Sequence, residues 1–89
     1  MNQPYLEVTF RRSTPVAAYL YLPRKTGDRA ASSEPIGDDL VIDRSADGRP
    51  IGIELLNPTA TSGEQLNEVL RGLHLPEIAE AELAPLHAA

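Results

Sequence analysis

The dipeptide Asp47-Gly48, flanked by aliphatic runs, constrains this chain more than any other feature. Gly reaches positive φ without a Cβ clash and Asp tolerates the left-handed region, so the pair marks a tight turn. Leu40-Val41-Ile42 precedes it and Ile51-Gly52-Ile53-Glu54-Leu55-Leu56 follows, which reads as a β-hairpin. A two-residue loop sets Ile42 opposite Ile53, Leu40 opposite Leu55 and Arg44 opposite Ile51. Val41 then faces Glu54 and Asp43 faces Gly52 on the other side. A three-residue loop closing on a left-handed Gly slips the register by one, setting Ile53 against Val41 and Ile51 against Asp43. Both loops stay open at this stage, and aliphatic matching favours the first. Pro50 has no N–H, so its nitrogen must point away from a ladder partner.

Two further extended segments precede the hairpin. Tyr5–Arg11 alternates, with Leu6, Val8 and Phe10 opposed to Tyr5, Glu7, Thr9 and Arg11, the period of a half-buried strand. Arg12–Pro15 reads as a turn. Val16–Leu22 is the second strand, with Ala18, Leu20 and Leu22 opposed to Ala17, Tyr19 and Tyr21. Arg24–Pro35 is polar and rich in turn formers, and reads as a flexible surface loop. Ile36–Arg44 is the expected third strand and Pro50–Asn57 the fourth, in an antiparallel meander.

Past Asn57 the period changes. Leu66, Val69, Leu70 and Leu73 recur at helical spacing behind Ser62, whose Gln65 three residues on completes a capping box. Thr61 with Glu64 offers the same signature. A helix over Ser62–Leu73 stopping near Gly72 follows. Pro76 suits a first helical turn, and Glu77–Leu83 carries a short helix with Ile78, Ala79 and Leu83 inward, ended by Pro85. Leu75 and Leu86 read as anchors, on this chain or on a neighbour. Met1–Pro4 reads as a loose end. The fold class is therefore α+β in one domain, residues 1–89, with a four-stranded antiparallel sheet over 5–57 and a helical part over 61–86.

The chain has no Cys, so neither a disulfide nor a thiolate is at hand. At 42% hydrophobic and 24% charged it is built to fold. Its net charge of −5 argues against general nucleic-acid binding, which runs on phosphate neutralisation. The charge is uneven: Arg11, Arg12, Arg24, Lys25 and Arg29 outnumber Glu7 and Asp28 before residue 34, and acids dominate after it. Those basic residues mark a possible anion patch, although without interleaved aromatics a solvated surface is the better reading. No apolar run approaches the roughly 18 residues of a membrane span and no leader opens the chain, so the expectation is a cytoplasmic protein without membrane contact.

Tyr19-Leu20 after Val16-Ala17-Ala18, Val41-Ile42-Asp43, Asp47-Gly48-Arg49 and Gly52-Ile53-Glu54-Leu55 together resemble the domain of unknown function 2283 family of small bacterial and archaeal proteins, over Tyr5–Asn57. The family's first turn is usually acidic, whereas here it is Arg11-Arg12-Ser13-Thr14-Pro15, so no role of those acids carries over. The resemblance implies a small antiparallel sheet followed by a helix, and no activity.

No catalytic, cofactor-binding or metal-ligating residue is assigned. Asp38, Asp39 and Asp43 with Glu34 are hard oxygen donors that suit Mg²⁺ or Ca²⁺. Strand alternation parts them, however, and edge-protecting surface charges are the better reading. Glu54 sits inside an apolar strand, where a buried carboxylate would be an acid or base, but a wet sheet face accounts for it more simply. His74 suits the negative end of the helix, and neither it nor His87 has a nucleophile at a recognisable spacing. One short helix cannot roof four strands, which leaves Tyr19, Tyr21, Val41 and Leu56 part-exposed. A homodimer built through that second face or the C-terminal tail is the expectation. The function expected is a non-enzymatic protein-interaction or regulatory module, with a small-molecule or divalent-metal binding domain as the alternative.

Overall fold

The computed structural model describes residues 4–87, His87 by its backbone alone; residues 1–3 of the expected loose end lie outside them. Five strands form one sheet: β1 (Tyr5–Arg11), β2 (Thr14–Tyr21), β3 (Ser32–Ile36), β4 (Leu40–Arg44) and β5 (Pro50–Leu55). Their order is β1-β2-β5-β4-β3, antiparallel throughout. After a 3₁₀ turn at Pro58–Ala60 come α1 (Gly63–Gly72), α2 (Glu80–Leu83) and a second 3₁₀ turn at Ala84–His87.

The α+β class holds, but three expectations are corrected. The sheet has five strands rather than four, because residues 32–44 fold back on themselves, with only Ile36 of the expected third strand crossing into the new one. Gly37 adopts φ 63° and Ile36 pairs with Leu40 across the Gly37–Asp39 turn. Ser32–Ile36 is therefore an edge strand rather than part of a flexible loop. The rest of that loop is tied down, since Arg49 donates both terminal nitrogens to Asp28, at 3.0 and 2.8 Å. Nor is the sheet a meander. The first hairpin docks against β5, not against the next strand in sequence. Burial explains the order. β5 carries Ile51, Ile53 and Leu55, all 1% exposed or less, and a strand that apolar belongs in the centre. β3 holds Pro35, which is tolerated at an edge.

Both readings of the Asp47-Gly48 hairpin are realised in different places. Ser45 N–H donates to Arg49 C=O and Gly48, at φ 88°, closes a three-residue loop. Arg44 accordingly faces Pro50 and not Ile51. A bulge at Ile51 then absorbs one residue. Beyond it the two-residue register is restored: Asp43 faces Gly52, Ile42 faces Ile53, Val41 faces Glu54 and Leu40 faces Leu55.

The helices all pack on one side. Leu20, Leu22, Leu40, Ile42, Ile53 and Leu55 of the sheet meet Leu66 and Leu70 of α1 and Ile78, Leu83 and Leu86 of the tail. The tail leucines are thus buried in their own chain. At roughly 1.5–3 kcal/mol for each buried aliphatic side chain, this cluster is the main source of stability. Ser62 caps α1 by accepting from Gln65 N–H at 3.0 Å. At the other end His74, not Gly72, takes the left-handed position (φ 60°); Leu75 N–H reaches Leu70 C=O and His74 N–H reaches Arg71 C=O, the bond pattern of a Schellman cap. The tail helix is shorter than expected. Ala79 is its exposed N-cap instead of a buried residue, and Pro85 lies within the second 3₁₀ turn. Asn67 holds the tail in place: its amide donates to Ile78 C=O at 3.1 Å and accepts from Ile78 N–H at 2.7 Å.

Candidate functional site

The side of the sheet facing away from the helices is the candidate site. Strand pairing sets its side chains in two rows. One row runs Tyr5, Tyr21, Gly52, Asp43, Ser33, and the next runs Glu7, Tyr19, Glu54, Val41, Pro35. Tyr19 leaves its own row. Gly52 has no side chain, and a Cβ there would collide with the Tyr19 hydroxyl. The phenol therefore crosses over the bare backbone of β5 and donates to Asp43 Oδ2 at 2.8 Å. Covering a strand glycine with a neighbouring ring is a known way to stabilise a sheet. The other Asp43 oxygen accepts from Ser33 Oγ at 2.7 Å, so one carboxylate links three strands.

Tyr21 is the hub of the aromatic half. Its ring stacks on Tyr5 with centroids 4.5 Å apart and meets Tyr19 edge-on at 4.7 Å. The Arg24 guanidinium carbon lies 5.3 Å from its centroid, within cation–π range. Burial, and next the hydrogen bond to Asp43, push the Tyr19 phenol up to about 12. The Glu7 charge pushes the Tyr21 phenol upward. Both phenols are protonated hydrogen-bond donors at neutral pH, and the upward shifts make them harder still to ionise. Tyr5 remains 50% exposed and Tyr19, Tyr21 and Val41 are part-exposed.

The structure scatters the other candidates. Glu34 pairs with Arg44 at 3.1 Å, and Asp38 and Asp39 lie in the β3–β4 turn. Among the described residues no three His, Cys, Asp or Glu side chains gather as a metal set. Glu54 is exposed on the bare face, opposite Val41. His74 ends α1, on the other side of the sheet from Asp43 and Glu54. The side chain of His87 lies outside the described residues. Arg11 and Arg12 sit at one end of β2, and Arg24 and Lys25 beyond the other, so the five basic residues make no single patch. Arg49 instead serves the hairpin tip. It grips Asp28 and Asp47, holding both carboxyls below the usual range, with the Ser45 hydroxyl the larger influence on Asp47. Sequence reasoning missed the Tyr19–Asp43 contact and the Asn67 tether. The Gly52 gap between apolar neighbours was the one signal available for the first.

Fold and face together define a class: a small α+β domain with one helix-covered sheet face and one bare, aromatic and acidic face. No helix among the described residues is long and apolar enough to cross a membrane. The family model described as a protein of unknown function (DUF2283) matches residues 17–57, and over this segment the chain is similar to that family. The match runs from β2 to the end of β5 and leaves β1, helices and tail outside it. No curated protein and no solved structure matches the chain.

Proposed function

We propose that this protein is a non-enzymatic, homodimeric protein-interaction or regulatory module of the cytoplasm, and that the bare sheet face is its contact surface. One observation carries the reading: five strands are roofed on one side only, and the other side presents Tyr5, Tyr19, Tyr21 and Val41 beside Glu7, Asp43 and Glu54. Aromatic side chains in a fixed ladder offer large contact area at low entropic cost. Asp43 is already occupied by two hydroxyl donors, which makes it a structural acceptor and not a free base. The alternative, a divalent-ion or small-molecule site on this face, would draw on Glu7, Glu54 and this committed carboxylate. Mass by light scattering is the test. Twice the 9.7 kDa of one chain at micromolar concentration supports the module, and a monomer up to millimolar concentration refutes it. A rise in melting temperature with Mg²⁺ or Ca²⁺ alone would favour the alternative.

A further inference from the structure

We propose that two copies join β1 to β1 in antiparallel fashion about a two-fold axis at Val8, so that two sheets become one and the bare faces run on continuously. The proposal rests on the homodimer reading and moves its contact from the face or tail to the sheet edge.

The backbone carries the first argument. Leu22 N–H donates to Ile51 C=O at 3.2 Å, in step with Tyr21 facing Gly52. Leu22 and Ile51 are therefore a hydrogen-bonded pair. By alternation the odd-numbered groups of β2 turn to β1, where Tyr5, Glu7 and Thr9 meet them. The N–H and C=O of Leu6 and Val8 are left pointing outward along the sheet edge, and those of Phe10 follow, because the register shift between Thr9 and Phe10 places its extra residue, Val16, on β2 and leaves the alternation of β1 intact. On the opposite edge the same count gives another answer. Leu56 N–H donates to Asp39 C=O, so odd residues of β4 face β5 and even ones face β3. The outward residues of β3 are then Ser33 and Pro35, and Pro35 has no N–H to give. Proline and short length are standard protections of an edge; β1 has neither.

The side chains carry the second. Pairing about Val8 sets Leu6 against Phe10 of the other copy, Val8 against Val8, Tyr5 against Arg11, and Glu7 against Thr9. Every outward N–H and C=O of Leu6, Val8 and Phe10 then finds a partner. Phe10 is 46% exposed in one chain. Opposite Leu6 it lies at the groove between β1 and the tail that Pro4, Leu6, Leu20, Ile78, Ala81 and Pro85 line. On the bare side Arg11 comes over the Tyr5 ring and lies diagonal to Glu7, an opposite charge within reach. No other pairing about an outward residue uses all three outward groups of each strand.

The absence of Cys makes the test clean. Glu7→Cys and Thr9→Cys place exposed thiols on β1, and Ala17→Cys places one on the bare face of β2. Directly opposed residues in a non-hydrogen-bonded pair have Cα atoms about 4.5 Å apart, within disulfide range. Under mild oxidation a mixture of Glu7→Cys and Thr9→Cys chains is expected to form the mixed disulfide several-fold faster than either alone, and Ala17→Cys to stay reduced. Phe10→Lys is expected to shift the protein to monomer with an unchanged circular dichroism spectrum. Rapid Ala17→Cys crosslinking, or Thr9→Cys crosslinking to itself faster than to Glu7→Cys, overturns the edge pairing while the dimer stands. A wild-type monomer overturns the dimer reading as well.

Discussion

Ile53 and Gly52 are neighbours on β5, yet they belong to two different environments. Ile53 points into a core where it is fully buried between Leu20 and Ile42. Gly52 points the other way, where its missing side chain lets Tyr19 cross to Asp43. The helix side is held by dense aliphatic packing, which is non-directional and scales with area. The bare side is held by a few directed contacts, in which a ring, a hydroxyl and a carboxylate must meet in register. The lesson is that the same alternation supplies stability on one face and a specific chemical pattern on the other.

Substitution separates the two faces most sharply. Ile53→Ala is expected to lose roughly 2–5 kcal/mol, the usual range for a buried aliphatic. Val41→Ala on the bare face is expected to lose about 1 kcal/mol or less. Chemical denaturation measures both, and equal losses would erase the distinction. Gly52→Ala comes next, at roughly 1–3 kcal/mol, because the new methyl evicts the Tyr19 ring. Added to Tyr19→Ala, the same change is expected to cost much less, so a double-mutant cycle shows strong coupling. Asn67→Ala strips both partners from the Ile78 backbone and is expected to cost roughly 1–3 kcal/mol, with faster hydrogen exchange through the tail. His74→Gly relieves a left-handed non-glycine, a strain of roughly 1–2 kcal/mol, against roughly 0.5–1 kcal/mol of added unfolded-chain entropy, and is expected to leave a small net gain.

The pH dependence differs at the two ends of the scale. Tyr19 is raised in the folded chain to about 12. Its contribution is therefore whole below the unfolded value near 10 and is lost as pH rises toward 12. Asp43→Asn is expected to bring its ultraviolet titration down. Asp28 and Asp47 are held low by their partners. Their contribution is present above the ordinary carboxylate range and is lost as pH falls below it, through their lowered folded values.

Much of the packed face was legible in the chain because it depends on local period. The pairs Ile42 with Ile53 and Leu40 with Leu55 follow from aliphatic matching across one turn, and the Ser62 cap from a four-residue signature. β3 escaped notice because Ser32-Ser33-Glu34-Pro35 has no apolar alternation; an edge strand need not bury a face. The strand order was misread because nothing inside either hairpin says which neighbour β5 takes. That choice also creates the candidate site. Tyr19 and Asp43 meet only after β2 docks on β5, and β1 becomes a free edge only because β5 holds the centre. Asn67 read as one more polar residue on a helix, since its partners are backbone groups that carry no signature in a sequence.

The unequal faces are tested most directly by NMR with an inert paramagnetic cosolute. Side-chain protons of Tyr21 and Val41 are expected to relax strongly, while those of Leu20, Ile53 and Leu55 stay protected, in monomer and edge-joined dimer alike. Equal protection of Tyr21 and Val41 with the three core residues would contradict a sheet roofed on one side and bare on the other.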